Sequence, residues 1–251
     1  MKTIGIVGAG TMGSGIAYVA AASDHKVLLY DLSKEQLRKA HSRIQELATN
    51  AVSKNLLSPE SAHQTLARVQ TQRNLEGLSR ADLIIEAAVE DLKTKKELFR
   101  QFDASSKPTT ILATNTSSFS VTDLASATKH PGRVAGMHFF NPPHLMKLVE
   151  VVRGHRSSET TISALVDVAR RMGKITVVVR DTPGFIVNRI ARPFYGEALR
   201  LLGEGVSTVE EIDRIVRLEG GVCDGAVRVD GSHRHRRELR GHAIRLRTVF
   251  P

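Results

Sequence analysis

Short apolar runs alternate with amphipathic stretches of helical period along most of the chain. Runs such as "TIGIV", "KVLLY" and "ADLIIEAAV" contain too few polar residues for half-exposed strands, and a helical pattern follows each of them. Buried strands separated by helices are typical of a parallel α/β sheet. The same pattern predicts four more strands, in "TILATN", "RVAGMHFF", "MKLVEVVRG" and "KITVVVRD".

The alternation of predicted strands and helices ends near residue 182. Within the α/β region it predicts helices over Thr11–Ala22, Lys34–Val52, Pro59–Gln70, 92–104 and Glu159–Met172. Pro183 and Gly184 then interrupt the alternation, and two consecutive helices are predicted over Phe185–Leu202 and Thr208–Leu218. We therefore expect an α/β domain over 1–182, followed by an incomplete all-α domain over 183–221.

The segment "GIVGAGTMGSGIA" places Gly8, Gly10 and Gly13 in G-x-G-x-x-G spacing between the first strand and the first helix. In this spacing the first glycine permits a tight turn, the second lets a pyrophosphate approach the backbone, and the third allows close helix packing. Asp31 ends the next strand, where a carboxylate binds an adenosine ribose and repels a 2′-phosphate. The pattern predicts a Rossmann-type domain that binds NAD rather than NADP. A glycine turn that only packs tightly is the alternative.

A histidine and a glutamate follow in the second half of the predicted sheet. His138, in "GMHFFNP", ends a strand at the carboxyl edge where α/β sheets bind ligands, and Glu150 lies in the next strand-like segment. A carboxylate buried in an apolar strand needs a partner, which a histidine on a neighbouring strand would provide. Such a pair is suited to removing a hydroxyl proton. A core histidine beside a structural glutamate is the alternative that the same spacing allows.

The spacing leaves open the roles of three more polar residues. Ser117 in "TNTSSFS" and Asn188 in "GFIVNR" would each hold a substrate oxygen, or else serve as a turn residue or helix cap. Glu90 is either a solvated carboxylate at a helix start or a ligand on the nicotinamide side. His233 and His235 form a close pair without a cysteine or a cluster of carboxylates, so no metal site is predicted.

Composition narrows the class of protein further. Hydrophobic residues make up 41% and charged residues 25% of the chain, as in soluble globular proteins, and the single cysteine, Cys223, fits a reducing compartment. The chain has no apolar run of bilayer length and no pattern of a secretory signal, so we expect a cytoplasmic protein without a membrane partner. Its net charge is +10, and residues 222–251 hold seven arginines against three acidic residues. Much of the positive charge therefore lies in this tail.

Four segments, in their order and spacing, resemble the L-3-hydroxyacyl-CoA dehydrogenase family, and bacterial 3-hydroxybutyryl-CoA dehydrogenases in particular. They are "GIVGAGTMGSGIA", "ATNTSSFSVTDLA", "GMHFFNPPHLMKLVEVV" and "DTPGFIVNRIARPFYGEALRLL". The resemblance covers residues 1–221. It implies an NAD-binding domain over 1–182 and the start of a helical domain for substrate binding and dimerisation over 183–221.

Carried over position by position, the resemblance implies a set of site residues. His138 is the implied general base, Glu150 orients it, and Ser117 and Asn188 position the substrate. The implied NAD contacts are Gly8, Gly10, Thr11, Met12, Gly13, Asp31, Glu90, Lys95 and Asn115. The implied reaction is the reversible oxidation of an (S)-3-hydroxyacyl-CoA, such as 3-hydroxybutyryl-CoA, to the 3-oxoacyl-CoA. His138 takes the hydroxyl proton while the hydride passes to NAD.

The resemblance ends after Gly221, where the chain reads "VCDGAVRVDGSHRHRRELRGHAIRLRTVFP". Codons permitted for this segment, read one nucleotide later, encode "FAMGPFELMDLIGIDVNFAVTQSVYEPFS", which is the kind of helical segment that the family calls for here. Our hypothesis is a one-nucleotide frameshift at about codon 222, which leaves an aberrant, poorly ordered basic tail over 222–251. Activity and the homodimer implied by the family would then both suffer from the incomplete second domain.

Two other functions are compatible with parts of the sequence. A related NAD-dependent β-hydroxyacid dehydrogenase, of the 3-hydroxyisobutyrate or 6-phosphogluconate type, would share the glycine motif, but "HFFNP" with "KLVEVV" speaks against it. A nucleic-acid-binding protein would use the Arg- and His-rich tail, but this tail has one aromatic residue, Phe250, and no helical period. The sequence favours a dehydrogenase that acts on an acyl-CoA thioester, with no nucleic-acid partner.

Overall fold

In the part of the chain that the structure describes, eight strands form a single sheet, and their order indicates where a ligand can bind. The structure is a computed structural model, and it describes residues 1–218. The strands are β1 (Thr3–Val7), β2 (Lys26–Tyr30), β3 (Val69–Gln72), β4 (Leu83–Glu86), β5 (Ile111–Thr114), β6 (Val134–Phe139), β7 (Leu148–Arg153) and β8 (Ile175–Arg180). Their order across the sheet is β3-β2-β1-β4-β5-β6-β7-β8. The order reverses between β1 and β4, so a crevice is expected at the carboxyl ends of these two strands.

The helices follow the strands much as the sequence predicts. They are α1 (Thr11–Ala22), α2 (Lys34–Ser53), α3 (Pro59–Ala67), α4 (Leu92–Ser105), α5 (Val121–Ala125), α6 (Glu159–Arg171), α7 (Val187–Gly203) and α8 (Val209–Leu218). Two short 3-10 turns occur at Leu75–Leu78 and Pro131–Arg133. Serine side chains cap the starts of α2, α3, α5 and α6 by accepting backbone N–H bonds, which explains why these helices begin where they do.

The sequence pattern suggested a parallel sheet, and the sheet of the structure is mostly, but not wholly, parallel. Neighbouring strands are parallel from β3 to β6, but β7 runs antiparallel to β6, and β8 is parallel to β7. Only residues 140–147 connect β6 to β7. A parallel return needs a crossover of about a dozen residues or more, so this short connection requires the antiparallel arrangement.

One strand differs from the prediction. The helical pattern was expected to continue to Gln70, but α3 ends at Ala67, and Val69–Gln72 forms β3 at the edge of the sheet. Its sequence, "VQTQ", has no apolar run, and its side chains are partly or fully exposed. An edge strand of this kind buries little, so its sequence carries no strong strand pattern.

Both faces of the sheet are covered. On one face, α1 packs against β1 through small side chains, including the fully buried Ala17 and Ala20. On the other, Phe99 and Phe102 of α4 pack under the strands, and burial of a side chain of this size stabilises the fold by about 1.5–3 kcal/mol. The apolar faces of the sheet and helices are thus buried in the core. The polar side chains at the strand ends are not part of this core and can contribute to a binding site.

An ion pair ties the amino edge of the sheet together. Arg133 precedes β6 and its Nη2 lies 2.8 Å from Oδ1 of Asp103, with both side chains buried. Arg133 also donates to the carbonyl oxygen of Thr110, just before β5. Burial alone would raise the pKa of Asp103, but hydrogen bonds from Arg133 and the Lys129 amide hold that pKa below its usual range. This pair lies at the opposite edge from the crevice.

The chain divides into two compact units, Met1–Phe185 and a second unit from Ile186 onward. This division falls three residues beyond the predicted end of the first domain at 182. In the second unit α7 packs against α8 around Ala198 and Ile212. The predicted tail over 222–251, with its proposed frameshift, lies outside the described residues.

Candidate active site

The glycine loop between β1 and α1 is built for close approach from one side. Gly8 has a φ of +99°, and a Cβ there would lie 2.4 Å from the carbonyl oxygen of Ala87. A Cβ on Gly13 would lie 1.8 Å from the carbonyl oxygen of Gly8, so α1 can pack this closely only with glycine. At Gly10, by contrast, a Cβ would meet nothing within 4 Å. Gly10 therefore borders open space, whereas Gly8 and Gly13 are required by packing.

The amino end of α1 remains available to an anion. Gly10 provides no side-chain cap, and the first turn, with exposed Thr11 and half-buried Met12, contains no acidic residue. The uncapped N–H groups and the positive end of the helix dipole attract negative charge. A phosphate group placed here would be stabilised by both effects.

Asp31 lies beside this loop at the end of β2. Its Oδ2 accepts a hydrogen bond of 2.7 Å from the Ala9 amide, and its Oδ1 accepts one of 2.8 Å from the Ser33 amide. A carboxylate has about four acceptor positions, so these two bonds leave capacity for ribose hydroxyls. The same bonds hold the carboxylate against the glycine loop, as the predicted ribose contact requires.

His138 and Glu150 face each other across β6 and β7. The antiparallel register pairs the two residues directly, and His138 Nδ1 lies 2.8 Å from Glu150 Oε2. Both side chains are buried. The rings of Phe140 and Phe185 lie against the imidazole, with centroids 4.5 and 5.7 Å away. The carboxylate accepts, so Nδ1 carries the proton and Nε2 has a free lone pair.

A buried lysine and two carboxylates lie at the ends of β4 and α4. Lys95, which is 1% exposed, places Nζ 2.6 Å from Glu86 Oε1 and 3.1 Å from Glu90 Oε2. Glu86 is fully buried, and its Oε2 accepts a hydrogen bond of 2.7 Å from Thr114 Oγ1. Lys95 thus contacts the predicted cofactor residue Glu90 and has almost no surface of its own.

Glu90 binds both neighbours of the predicted substrate residue Ser117. Its Oε1 accepts hydrogen bonds from Thr116 Oγ1 and, at 2.9 Å, from Ser118 Oγ. Partial burial would raise the pKa of Glu90, but the Thr116 bond and the charge of Lys95, with the other hydrogen bonds, hold that pKa below its usual value. Glu90 therefore stays ionised and fixes the turn that carries Ser117, itself half-buried.

Asn115 connects this turn to the histidine strand. Its backbone amide donates to the carbonyl oxygen of Glu86, and its side-chain Oδ1 accepts a 2.9 Å hydrogen bond from the Phe139 amide. Phe139 follows His138 directly. Asn115 therefore lies between the β4–β5 turns and the His138–Glu150 pair, with its amide nitrogen as a further donor.

Asn188 lies in the first turn of α7, in the second unit, and is half-buried there. The structure thus brings twelve of the thirteen predicted site residues to the first unit. The remaining residue is Asn188, and the roles of all thirteen stay predictions.

A cleft of about 170 Å³ lies between α1, α2 and the loop that follows β6. Thr11, Arg43 and Asn141 are among the residues that line it. Arg43 Nη1 is buried and has no hydrogen-bond partner in the described part of the chain. Lys174 holds the loop that follows β6, because its Nζ donates to the carbonyl oxygens of Pro143 and Met146 at 2.5 and 2.9 Å. The cleft therefore has one wall that Lys174 holds, and it contains an arginine whose Nη1 has no hydrogen-bond partner within residues 1–218.

No three His, Cys, Asp or Glu side chains within residues 1–218 are grouped as metal ligands would be. No helix in that range is long and apolar enough to cross a membrane.

Comparison with known families identifies the first unit. Residues 3–182 match the model of the 3-hydroxyacyl-CoA dehydrogenase NAD-binding domain. The chain belongs to the 3-hydroxyacyl-CoA dehydrogenase family. Residues 184–229 match the family's C-terminal domain, so this match continues beyond Gly221, where the motif resemblance ends.

Individual members of the 3-hydroxyacyl-CoA dehydrogenase family resemble the chain over most of its length. A 3-hydroxyadipyl-CoA dehydrogenase of Escherichia coli is 46% identical over 217 residues, which are 86% of this chain and 46% of that protein. A 3-hydroxybutyryl-CoA dehydrogenase of Clostridioides difficile is 41% identical, over 86% of this chain and 76% of that protein. The crystal structure of the (S)-3-hydroxybutyryl-CoA dehydrogenase from Ralstonia eutropha superposes with a TM-score of 0.88 at 37% identity, over 90% of this chain and 80% of that one. The chain thus spans less than half of the first relative and about three quarters of the others.

The first unit fits the NAD that this dehydrogenase family binds. The open space above Gly10 and the uncapped end of α1 suit the pyrophosphate, and Asp31 has acceptor positions left for the adenosine ribose. Asp31 directly follows β2, on one side of β1, so the nicotinamide half of a bound NAD would extend to the other side, over β4 and β5. Glu90 and Asn115 lie at the ends of those strands.

Glu86 and Thr114 were not predicted from the sequence. Glu86 lies inside "LIIEAAV", which was interpreted only as a buried strand. A carboxylate in an apolar strand needs a partner, and this holds for Glu86 as it does for Glu150. The cation four positions into α4, Lys95, was the signal that would have identified the pair.

Proposed function

We propose that the chain catalyses the reversible, NAD-dependent oxidation of (S)-3-hydroxyacyl-CoA to 3-oxoacyl-CoA, with 3-hydroxybutyryl-CoA as the expected substrate. The observation that carries this proposal is the buried His138–Glu150 pair, 2.8 Å apart, at the sheet edge that also carries the glycine loop. A proton acceptor and a site for a hydride acceptor on one edge are what the oxidation of a secondary alcohol needs.

The proton moves to His138 Nε2. Glu150 fixes the ring because its carboxylate accepts from Nδ1, so the lone pair on Nε2 is directed away from β7. As the hydroxyl proton arrives, the ring becomes an imidazolium, and the 2.8 Å contact with the Glu150 carboxylate stabilises that charge. Phe140 and Phe185 keep water from the ring, which strengthens this interaction. NAD, when bound, supplies the acceptor for the hydride from C3.

Ser117, Asn115 and Asn188 orient the substrate in this proposal. Glu90 holds the residues on both sides of Ser117, so the turn that presents the Ser117 hydroxyl to the substrate oxygen is fixed. Asn115 offers its amide nitrogen beside the nicotinamide and thioester region. Asn188 is assigned to the thioester side on the family resemblance. Arg43, whose buried Nη1 has no hydrogen-bond partner among the described residues, is suited to the negative charge of the CoA moiety.

The relatives guide the choice of substrate. The C. difficile and R. eutropha proteins are 3-hydroxybutyryl-CoA dehydrogenases, whereas the E. coli protein is a 3-hydroxyadipyl-CoA dehydrogenase. All three names have a 3-hydroxyacyl thioester in common. Family membership does not favour the β-hydroxyacid alternatives. A cytoplasmic location and a homodimer stay predictions.

The test is NADH formation, followed by its absorbance, with (S)-3-hydroxybutyryl-CoA as substrate and the (R) enantiomer as control. A parallel assay with 3-hydroxyadipyl-CoA determines which acyl chain the protein prefers. We expect His138→Gln to lower turnover by about 10²–10⁴-fold, the usual contribution of a general base, with an unchanged NADH dissociation constant. Turnover of His138→Gln equal to that of the parent would refute the role of His138. A parent chain that binds NADH but oxidises neither thioester would refute the proposed reaction.

A further inference from the structure

We propose that Glu86 is a positioning residue for the nicotinamide half of NAD, acting through Lys95 and Glu90. The inference rests on the NAD site of the proposed function. It goes further by giving a role to a buried carboxylate that touches neither the substrate nor the cofactor.

Glu86 connects three separate segments at the carboxyl edge. Its Oε1 accepts from Lys95 Nζ at 2.6 Å, in the first turns of α4, and from the Ala88 amide at 2.8 Å, in the turn after β4. Its Oε2 accepts from Thr114 Oγ1 at 2.7 Å, at the end of β5. The side chain is 0% exposed. Both oxygens are therefore occupied in fixing the segments that carry the predicted cofactor residues.

Lys95 contacts both Glu86 and Glu90, so the position of Glu90 depends on that of Glu86. It is buried, so its ammonium group needs both carboxylates, and the shorter of its two contacts is to Glu86. Glu90 then holds Thr116 and Ser118, on either side of Ser117. A shift of Lys95 would move Glu90, and with it the turn after β5.

Stability alone does not explain this arrangement. Replacement of a buried ion pair by apolar residues is often neutral or stabilising, and apolar side chains of β4 and α4 surround this one. The bonds of Glu86 and Glu90 reach the end of β5 and the turns that follow β4 and β5. These turns lie on the nicotinamide side of β1, whereas Asp31 lies on the adenosine side. The network is placed to affect one half of NAD and not the other.

The experiment compares NADH with ADP-ribose, which has the adenosine and pyrophosphate but no nicotinamide. Dissociation constants are measured by calorimetry for the parent and for Glu86→Gln, which keeps the size of the side chain and removes its charge. We expect the NADH dissociation constant to rise by about tenfold, the effect of losing one charge-assisted hydrogen bond, and that of ADP-ribose to stay the same. Thr114→Val, which removes a neutral donor to Glu86 together with the acceptor of the Thr116 amide, is a milder variant with the same expected pattern.

Two further variants separate positioning from stability. Asp103→Asn breaks a buried ion pair of the same kind at the opposite edge, so it should lower the melting temperature without changing either dissociation constant. The double variant Glu86→Gln/Lys95→Met leaves neither of these two buried charges. It should regain the stability that Lys95→Met loses, yet bind NADH at least as weakly as Glu86→Gln, because Glu90 then lacks the lysine that Glu86→Gln only leaves misplaced.

Each result decides the matter. Unchanged NADH affinity in Glu86→Gln, an equal loss for NADH and ADP-ribose, or full recovery of NADH affinity in the double variant would overturn the positioning role. A parent that binds both ligands and discriminates as expected, but oxidises no 3-hydroxyacyl-CoA, would refute the proposed reaction and leave this inference standing. A parent that binds neither ligand would overturn both.

Discussion

Alanine at Gly10 should separate cofactor binding from folding. The backbone at this position, with φ −68° and ψ −166°, is one that any residue adopts, and a Cβ would meet no atom within 4 Å. A Gly→Ala change at an unstrained position stabilises a protein by about 0.4–1 kcal/mol, because the unfolded chain loses freedom. For a chain of this size we expect the melting temperature of Gly10→Ala to rise by about 1–4 °C.

Binding should change in the opposite direction. The added methyl group would occupy the space through which the pyrophosphate approaches the amino end of α1, and would hold the phosphate away from the N–H groups. Loss of one hydrogen bond to a charged group costs about 1.5–3 kcal/mol. The NADH dissociation constant of Gly10→Ala should therefore rise by about 10- to 100-fold.

The assay pairs an NADH titration, followed by nucleotide fluorescence, with thermal unfolding. Gly13→Ala is the matched control because its Cβ would lie 1.8 Å from the carbonyl oxygen of Gly8, so its melting temperature should fall. An unchanged NADH dissociation constant in Gly10→Ala would refute the path of the pyrophosphate over Gly10. A lower melting temperature in Gly10→Ala would refute the argument from open space.

Two other predictions concern single side chains. Glu150→Gln should lower turnover by about 10- to 100-fold, because the imidazolium of His138 loses a charge-assisted bond of 2.8 Å, and steady-state kinetics with unaltered turnover would contradict this. Burial, together with the charge of the chain's amino terminus, lowers the pKa of His25 below its ordinary value of 6.5. As the pH drops through 6.5, His25 is therefore protonated in the unfolded state before it is protonated in the folded state, and the free energy of unfolding falls. His25→Leu should reduce the drop in melting temperature between about pH 7.5 and pH 5.5, and an identical drop in both proteins would count against it.

Local patterns in the sequence were sufficient for much of the fold. The ends of α1 were predicted from the glycine motif and the run of small residues, since Gly13 and the alanines of α1 are required by contact with β1. The strand β2 and the carboxylate of Asp31 follow from the same local pattern. Where neighbouring residues decide conformation, as in tight turns and capped helices, the sequence by itself determines the result.

The pairing of distant residues was decided by the tertiary structure. The sequence placed His138 and Glu150 on adjacent strands, but only the antiparallel register of β6 and β7 makes them direct partners. Glu86 and Lys95 belong to a strand and a helix whose contact arises when α4 packs on the sheet. The edge strand β3 likewise exists through its bonds to β2. Local propensity contributes little to such pairs because their free energy comes from burial and hydrogen bonds that form only when distant segments meet.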